Sequence, residues 1–466
     1  MIYIDRNLAT PIYQQIYEAL VSDIASGALK AGDKLMPSRK LAEDLAVGRN
    51  TVNKAYQQLL AEGYVQALQG SGITVNKMPS SLSEVPKAKN AKRKENVKED
   101  FAYDFAYGPM DRNAFPFGVW RKCMNNAMDL MMLKSSLAYP PRTGEMELKE
   151  ALASYLHRVR GVVASPEQII ITSGLQYNLD ILALLFGDSK KRFGMENPGY
   201  DGVRPMFYNA GYDVIPIELD EEGISIEALK KEDLDLVYIT PSHQFPTGAV
   251  LPIAKRLELL EWAEETDTYI IEDDYDSELR YYTNPIPSLQ SLDNAGKVIY
   301  TGTFSKAFAP ITRTAYLVLP MELLDKFQRL HGRYNSQLPV LHQLALADFV
   351  ESGEYERNVN RLKTVYKKKE SLFRELVDEL FGDKIELNGG DAGIHFLMNV
   401  KTNLTADELI NRAAAIGVKV YSSEAEYLEG LYDELPYPQL VVGLPTVPMD
   451  AMRKILIGLR KVWDLE

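Results

Sequence analysis

The stretch TFSKAFAPITR, residues 303 to 313, sets Lys306 directly after Ser305, three residues after Thr303 and seven before Arg313. A lysine amine can form an imine with an aldehyde, while hydroxyls and a guanidinium can hold a phosphate. Pyridoxal phosphate carries both groups, so the spacing suits a lysine that holds that cofactor. A surface lysine in a polar turn fits the fragment equally well, and four other stretches bear on the choice. TSGLQYNLDIL (172–182) places Ser173 and Gly174 just before a helix, where backbone N–H groups suit a phosphate. ENPGYDGVR (196–204) offers Tyr200 on a turn, where its ring could stack on a flat heterocycle. TPSHQFPTG (240–248) is a rigid loop at a strand end. IIEDDYDSEL (270–279) ends a buried strand in acids. Of these, Asp273 could keep a pyridine nitrogen protonated, with Tyr275 near the ring hydroxyl. Singly, each has a plainer reading: solvated or metal-binding acids, a tyrosine that only packs.

These residues fall at the ends of apolar runs. EQIIIT, KRFGME, DVIPIEL, LDLVYIT, TYIIEDD, KVIYTGT and AYLVLP read as strands, with helical stretches such as IAKRLELLEWAEE between several of them. Strand, helix and strand in succession predict an α/β chain with a mostly parallel sheet and helices on both faces. Ligands in such sheets sit beyond the carboxyl ends of the strands, where these candidates lie.

Composition bounds the rest. The chain has 466 residues, enough for two or three domains, and one cysteine, Cys123. No disulfide framework or cysteine-ligated metal cluster is expected, which fits a reducing cytosol and a cytoplasmic location. No metal site is expected at His157, His331 or His342, which lack ligand spacing. The N-terminus does not read as a signal peptide, and no apolar stretch is long enough to cross a bilayer, so no membrane is expected. A net charge of −13 argues against general affinity for nucleic acid. It leaves room for a small DNA-reading module, and residues 1–75 balance acidic and basic side chains.

That module is legible. PIYQQIYEALVSDIASGAL reads as a helix closed by Gly27, SRKLAEDLA as a second, and RNTVNKAYQQLLAEGYV as a third that ends at Gly63. YVQALQGSGITVN reads as two short strands around Gly70. Helix, helix, turn, helix and hairpin make a winged helix-turn-helix spanning residues 1–76, whose third helix would enter the major groove of double-stranded DNA N-terminus first. Its first turn carries Arg49, Asn50, Thr51 and Asn53; arginine suits guanine edges and asparagine suits adenine edges. Arg39 and Lys40 could hold phosphates. Residues 77–100, polar with two prolines and a lysine cluster, read as a flexible basic linker.

SRKLAEDLAVGRNTVNKAYQQLLAEGYV followed by GSGITV resembles the winged-helix domain of the GntR regulators. The resemblance implies that Arg39, Arg49, Thr51 and the wing residue Gly70 contact DNA. It departs at LMPS, where the proline comes one place late, and at Gly48, which replaces a common serine. Residues 101–466 resemble the aminotransferase branch of fold type I pyridoxal-phosphate enzymes. This implies an imine at Lys306, Asp273 on the pyridine nitrogen, Tyr275 on the ring oxygen and Tyr200 stacked on the ring. It implies Ser173, Gly174, Leu175, Gln176, Thr303, Ser305 and Arg313 around the phosphate. Phe245 replaces the asparagine of NPTG, so that contact is lost or moved to His243 or Gln244. A GntR head on an aminotransferase-like body resembles the MocR regulators, which implies a head-to-tail homodimer.

The same resemblance bears on the effector. An aminotransferase holds its substrate's carboxylate with an arginine near the C-terminus, and in LVVGLPTVPMD (440–450) Thr446 stands at that place. A relative that senses γ-aminobutyrate carries a second arginine soon after the stacking tyrosine. Here Asp201 and Gly202 follow Tyr200, and Arg204 is out of register. A buried carboxylate without a partner is costly. Three readings follow: a regulator whose effector is pyridoxal phosphate itself, controlling vitamin B6 synthesis; a regulator that senses an amino compound through the imine, held by Arg142, Arg204 or His395; and an active aminotransferase.

Overall fold

Runs of apolar residues with no polar alternation form strands covered on both faces: Ile169–Thr172, Leu236–Ile239 and Ala315–Val318 are buried at every position. The computed structural model describes residues 2–6, 8–68, 72–78, 101–133, 139–188, 190–283, 286–428 and 430–465. Two compact units emerge, Met1–Lys98 and Glu99–Glu466. The wing tip with Gly70, and the expected linker from residue 79 onward, lie outside the described residues.

In the first unit, α1 (Ile12–Ala25), α2 (Ser38–Asp44) and α3 (Arg49–Ala61) precede a hairpin of β1 (Val65–Leu68) and β2 (Gly72–Val75). Ile16, Leu20 and Ile24 recur at helical spacing and pack on Val52, Ala55, Tyr56 and Leu59 of α3. Gly27 and Gly63, just past α1 and α3, adopt φ of +74° and +77°, a conformation that favours glycine after a helix. The Tyr56 hydroxyl donates to the Met36 carbonyl at 2.7 Å, which holds the chain entering α2 against α3. The hairpin is antiparallel, with Val65 opposite Val75.

The second unit starts with β3 (Tyr103–Asp104). Its main sheet contains β4 (Ile169–Thr172), β5 (Arg192–Asn197), β6 (Asp213–Asp220), β7 (Gly223–Ile224), β8 (Leu236–Ile239), β9 (Tyr269–Asp274), β10 (Val298–Thr303) and β11 (Ala315–Val318). The order across the sheet is β4-β11-β10-β9-β8-β5-β6-β7. Strands β10, β9, β8, β5 and β6 run parallel, and β11 is antiparallel to both β4 and β10. The carboxyl ends of β4, β5, β8, β9 and β10 therefore reach one edge. Alternate side chains serve opposite faces. Ile271, Ile299, Tyr238 and Met195 pack with helix Leu175–Leu185 on one side. Ile270, Val298 and Val237 pack with Leu259 and Trp262 of helix Ile253–Thr266 on the other.

A second sheet is formed by β12 (Ile385–Gly389), β13 (His395–Val400), β15 (Tyr421–Ser422) and β16 (Gln439–Gly443), antiparallel in the order β12-β13-β16-β15, while β14 (Val418–Lys419) pairs with β3. Helices Glu354–Phe381 and Met449–Val462 cover it with Phe373, Leu376, Ile455 and Leu459. Through β16 this sheet also supplies one wall of the site.

Candidate functional site

The strand ends open into a cavity of about 270 Å³. Its lining includes Gly174, Leu175 and Gln176 after β4, Tyr200 after β5, Tyr238 and Thr240 at the end of β8, Asp273 on β9, and Thr303, Ser305, Lys306 and Arg313 at and after β10. Residues from five separate segments of sequence thus meet because parallel strands end together.

Lys306 stands in the turn that follows β10, with Nζ 3.5 Å from the centroid of the Tyr107 ring. Burial lowers its pKa to about 8, against the opposing pull of Asp276 and Asp273. Asp273 is pushed up to about 7 by burial, although the Tyr238 hydroxyl donates to its Oδ2 at 2.5 Å. A partner bearing a proton on nitrogen would restore the charge on that carboxylate.

At the other end, Gly174 caps helix Leu175–Leu185 with φ of +129°, and a Cβ placed there would lie 2.6 Å from Arg313 Nη2. The first intrahelical bonds begin with the N–H groups of Tyr177 and Asn178, so those of Leu175 and Gln176, residues of the cavity lining, have no helical partners. Thr303 Oγ1 donates to Ser305 Oγ at 2.9 Å and accepts from the Ser305 N–H at 3.1 Å. Backbone donors, hydroxyls and a guanidinium form a cradle with the chemistry of a phosphate site. Together with the buried lysine amine and the opposed carboxyl, these residues fit pyridoxal phosphate.

Tyr200 is steered by its neighbour, because a Cβ on Gly202 would lie 2.7 Å from the tyrosine ring. The loop after β8 is braced from below: Thr240 Oγ1 donates to Glu196 at 2.7 Å, and Gln244 Nε2 donates to the Pro198 carbonyl at 2.9 Å.

Several expected residues stand elsewhere. His243 does not line the cavity. It is buried behind Tyr275, whose hydroxyl donates to the His243 carbonyl at 2.8 Å and lies 3.1 Å from its Nδ1. Nδ1 also meets Asp276 Oδ2 at 3.0 Å. The carboxylate only accepts, so Nδ1 is the donor of that pair. Asp276, His243 and His395 form a buried group. Ser173 turns its hydroxyl to Gln337 and is not part of the lining. Arg204 donates to the carbonyls of Tyr427 and Ala425, and so ties down the 425–427 segment.

The reading of Thr446 is corrected by the register of β16. Thr446 lies past the strand and donates to the Asp104 carbonyl at 2.9 Å. Val441, within the strand, packs with Phe245, Tyr275 and Leu397, and Tyr107 and Tyr200 rest on that cluster. An aliphatic side chain, rather than a hydroxyl or a guanidinium, therefore backs this wall. Sequence reasoning also missed Tyr107, Tyr238, Gly108 and Pro310, which the lining includes. The acids of 272–278 are buried and partnered rather than solvated. Glu272 accepts from the N–H groups of Leu289 and Gln290, Asp274 pairs with Arg160 at 2.6 Å, and Glu278 accepts from Tyr355.

On the first unit, Arg39, Lys40, Arg49 and Asn50 are exposed, while Thr51 and Asn53 are half-buried on the first turn of α3. Gly48 caps that helix with no side-chain hydrogen bond. Val52, Ala55 and Leu59 face the core, so the start of α3 presents its polar residues outward.

Comparison with known proteins matches the same division. The family described as bacterial regulatory proteins, gntR family, matches residues 12–75, and aminotransferase class I and II matches residues 109–427. The chain is 36% identical over 465 residues to the uncharacterised HTH-type transcriptional regulator YdeL of Bacillus subtilis, covering 99% of each. It is 35% identical to the probable rhizopine catabolism regulatory protein MocR of Rhizobium meliloti, covering 99% of this chain and 96% of that one. It is 33% identical to the HTH-type pyridoxine biosynthesis transcriptional regulator PdxR of Corynebacterium glutamicum, covering 82% of each. Among solved structures, a kynurenine aminotransferase of Pyrococcus horikoshii superposes with a TM-score of 0.71 at 26% identity, over 78% of this chain and 91% of that one.

Proposed function

The chain belongs to the MocR subfamily of GntR regulators, a DNA-binding winged helix joined to an aminotransferase-like unit that takes pyridoxal 5'-phosphate, and we propose that pyridoxal phosphate itself is its effector in the control of vitamin B6 synthesis. One observation carries this reading. Among the described residues that line the cavity, Arg313 is the single guanidinium, and it stands at the Gly174 cradle. A carboxylate-bearing effector would need a second cation, and the lining offers the rings of Phe245 and Tyr107 instead, with Val441 packed behind them. The relative PdxR is named for pyridoxine biosynthesis, which supports the same direction.

When bound, the cofactor supplies an aldehyde and an electron-withdrawing ring. The chain's own residues then have separate tasks. Arg313, the hydroxyls of Thr303 and Ser305 and the N–H groups of Leu175 and Gln176 hold the phosphate. Asp273 would hold the proton at the ring nitrogen, Tyr275 would orient the ring oxygen, Tyr200 would lie against the ring, and Lys306 would supply the amine. We further propose that the protein acts as a head-to-tail homodimer. Occupancy of the body would then bias how two heads are held, and head spacing must match half-site spacing on DNA.

The test is operator binding upstream of the chain's own gene and of vitamin B6 synthesis genes, with protein stripped of pyridoxal phosphate and then reloaded. A change in affinity or footprint with cofactor alone is the expected result. A change that requires an added amine would replace this reading with an amine sensor, and repeated turnover of a keto acid would replace it with an enzyme.

A further inference from the structure

The apolar wall of the cavity has a consequence for what can reach the lysine. Tyr107 comes from the segment after β3, far in sequence from the rest of the site. Its ring lies 4.9 Å from Phe245 and 4.9 Å from His395 between centroids, so it is held on two sides. Its face is turned to Lys306, with Nζ 3.5 Å from the centroid. Behind it, Phe245, Val441 and Leu397 close the wall. The polar part of the lining is made of Asp273, Thr303, Ser305 and Arg313.

We propose that Tyr107 is a specificity-determining residue that screens Lys306 Nζ from primary amines, so that the site responds to pyridoxal phosphate and not to the amino compounds around it. The proposal rests on the reading that Lys306 holds the cofactor. An incoming amine would exchange for Nζ, which leaves as the free amine, so the step needs no oxidant or further reactant. To reach that position the amine must first displace the ring. That costs the packing of the ring over Nζ and its contacts with Phe245 and His395.

The experiment uses the full-length protein loaded with pyridoxal phosphate and follows its bound-cofactor absorption after addition of methylamine or L-alanine. Wild type is expected to respond slowly and Tyr107→Ala about tenfold faster, the factor for losing roughly one aromatic packing contact from the barrier. Tyr107→Phe keeps the ring and is expected to stay slow. Equal rates in wild type and Tyr107→Ala would overturn the proposal, and a fast Tyr107→Phe would overturn it independently, even if the alanine variant failed to fold. Operator affinity measured with each amine gives a second readout: only the alanine variant should become amine-responsive. Absence of any bound-cofactor band in wild type would strike at the lysine assignment instead, so the two failures are distinguishable.

Discussion

At the scale of single residues, the site depends on two groups moved away from their aqueous behaviour by burial. Lys306, near pKa 8, keeps a useful fraction of neutral amine at neutral pH, and Asp273, near 7, gains its charge when a protonated nitrogen meets it. The sign of the pH dependence follows from the lysine. Only the deprotonated amine is nucleophilic, so cofactor capture by stripped protein should speed up as pH rises through about 8 and level off above it. Stopped-flow absorption would measure this, and a rate that falls over that range would contradict it. Lys306→Ala should abolish the lysine-linked absorption while far-ultraviolet circular dichroism is retained. His243 stands one step removed from the cavity, behind Tyr275, with its Nδ1 between Asp276 and Tyr275.

At the scale of elements, each helix or strand end has a separable task. The start of helix Leu175–Leu185 has the chemistry to hold an anion, and Gly174 suits it because its φ of +129° strains any side chain and a Cβ would crowd Arg313. The start of α3 faces outward with Arg49 and Asn50. Arg49→Ala should cost operator binding roughly 1–3 kcal/mol if the guanidinium reads a base edge, and relax specificity at one position. The cofactor spectrum should not change, because Arg49 belongs to a different compact unit. Unaltered operator affinity in a gel-shift titration would remove Arg49 from the recognition surface. Strand β16 shows how register matters: it sets Val441 against Phe245, Tyr275 and Leu397, so an aliphatic group stands behind the cavity at that position.

At the scale of the whole molecule, the two units each have their own core. They should therefore unfold as separable transitions. Pyridoxal phosphate at about 100 times its dissociation constant should stabilise the unit that binds it by roughly 2.7 kcal/mol. Differential scanning calorimetry should show one transition moving up and the other staying in place. A shift of both together would mean that the units unfold as one. Among the described residues, no helix is long and apolar enough to cross a membrane. Helix Phe117–Leu133 nevertheless exposes Met132 and Leu133 at 78% and 83%. An apolar helix end of this kind suits the proposed dimer.

What was legible from the amino-acid order alone was local. The strands show as apolar runs, the head shows as three helices and a hairpin, and Lys306, Asp273, Tyr200 and Arg313 stand at predictable strand ends because connectivity puts them there. Tyr107, Phe245 and Val441 could not be read in that way. They come from three distant segments and meet only when the second sheet packs against the first. The acid run of 272–278 was legible as the end of a buried strand, but its partners Arg160, His243, Tyr238 and Tyr355, which let it be buried, arrive from elsewhere in the chain. Sequence periodicity fixes which face a residue takes within its own element. Only long-range packing decides what that face meets, and here it set the Tyr107 ring over Lys306 Nζ.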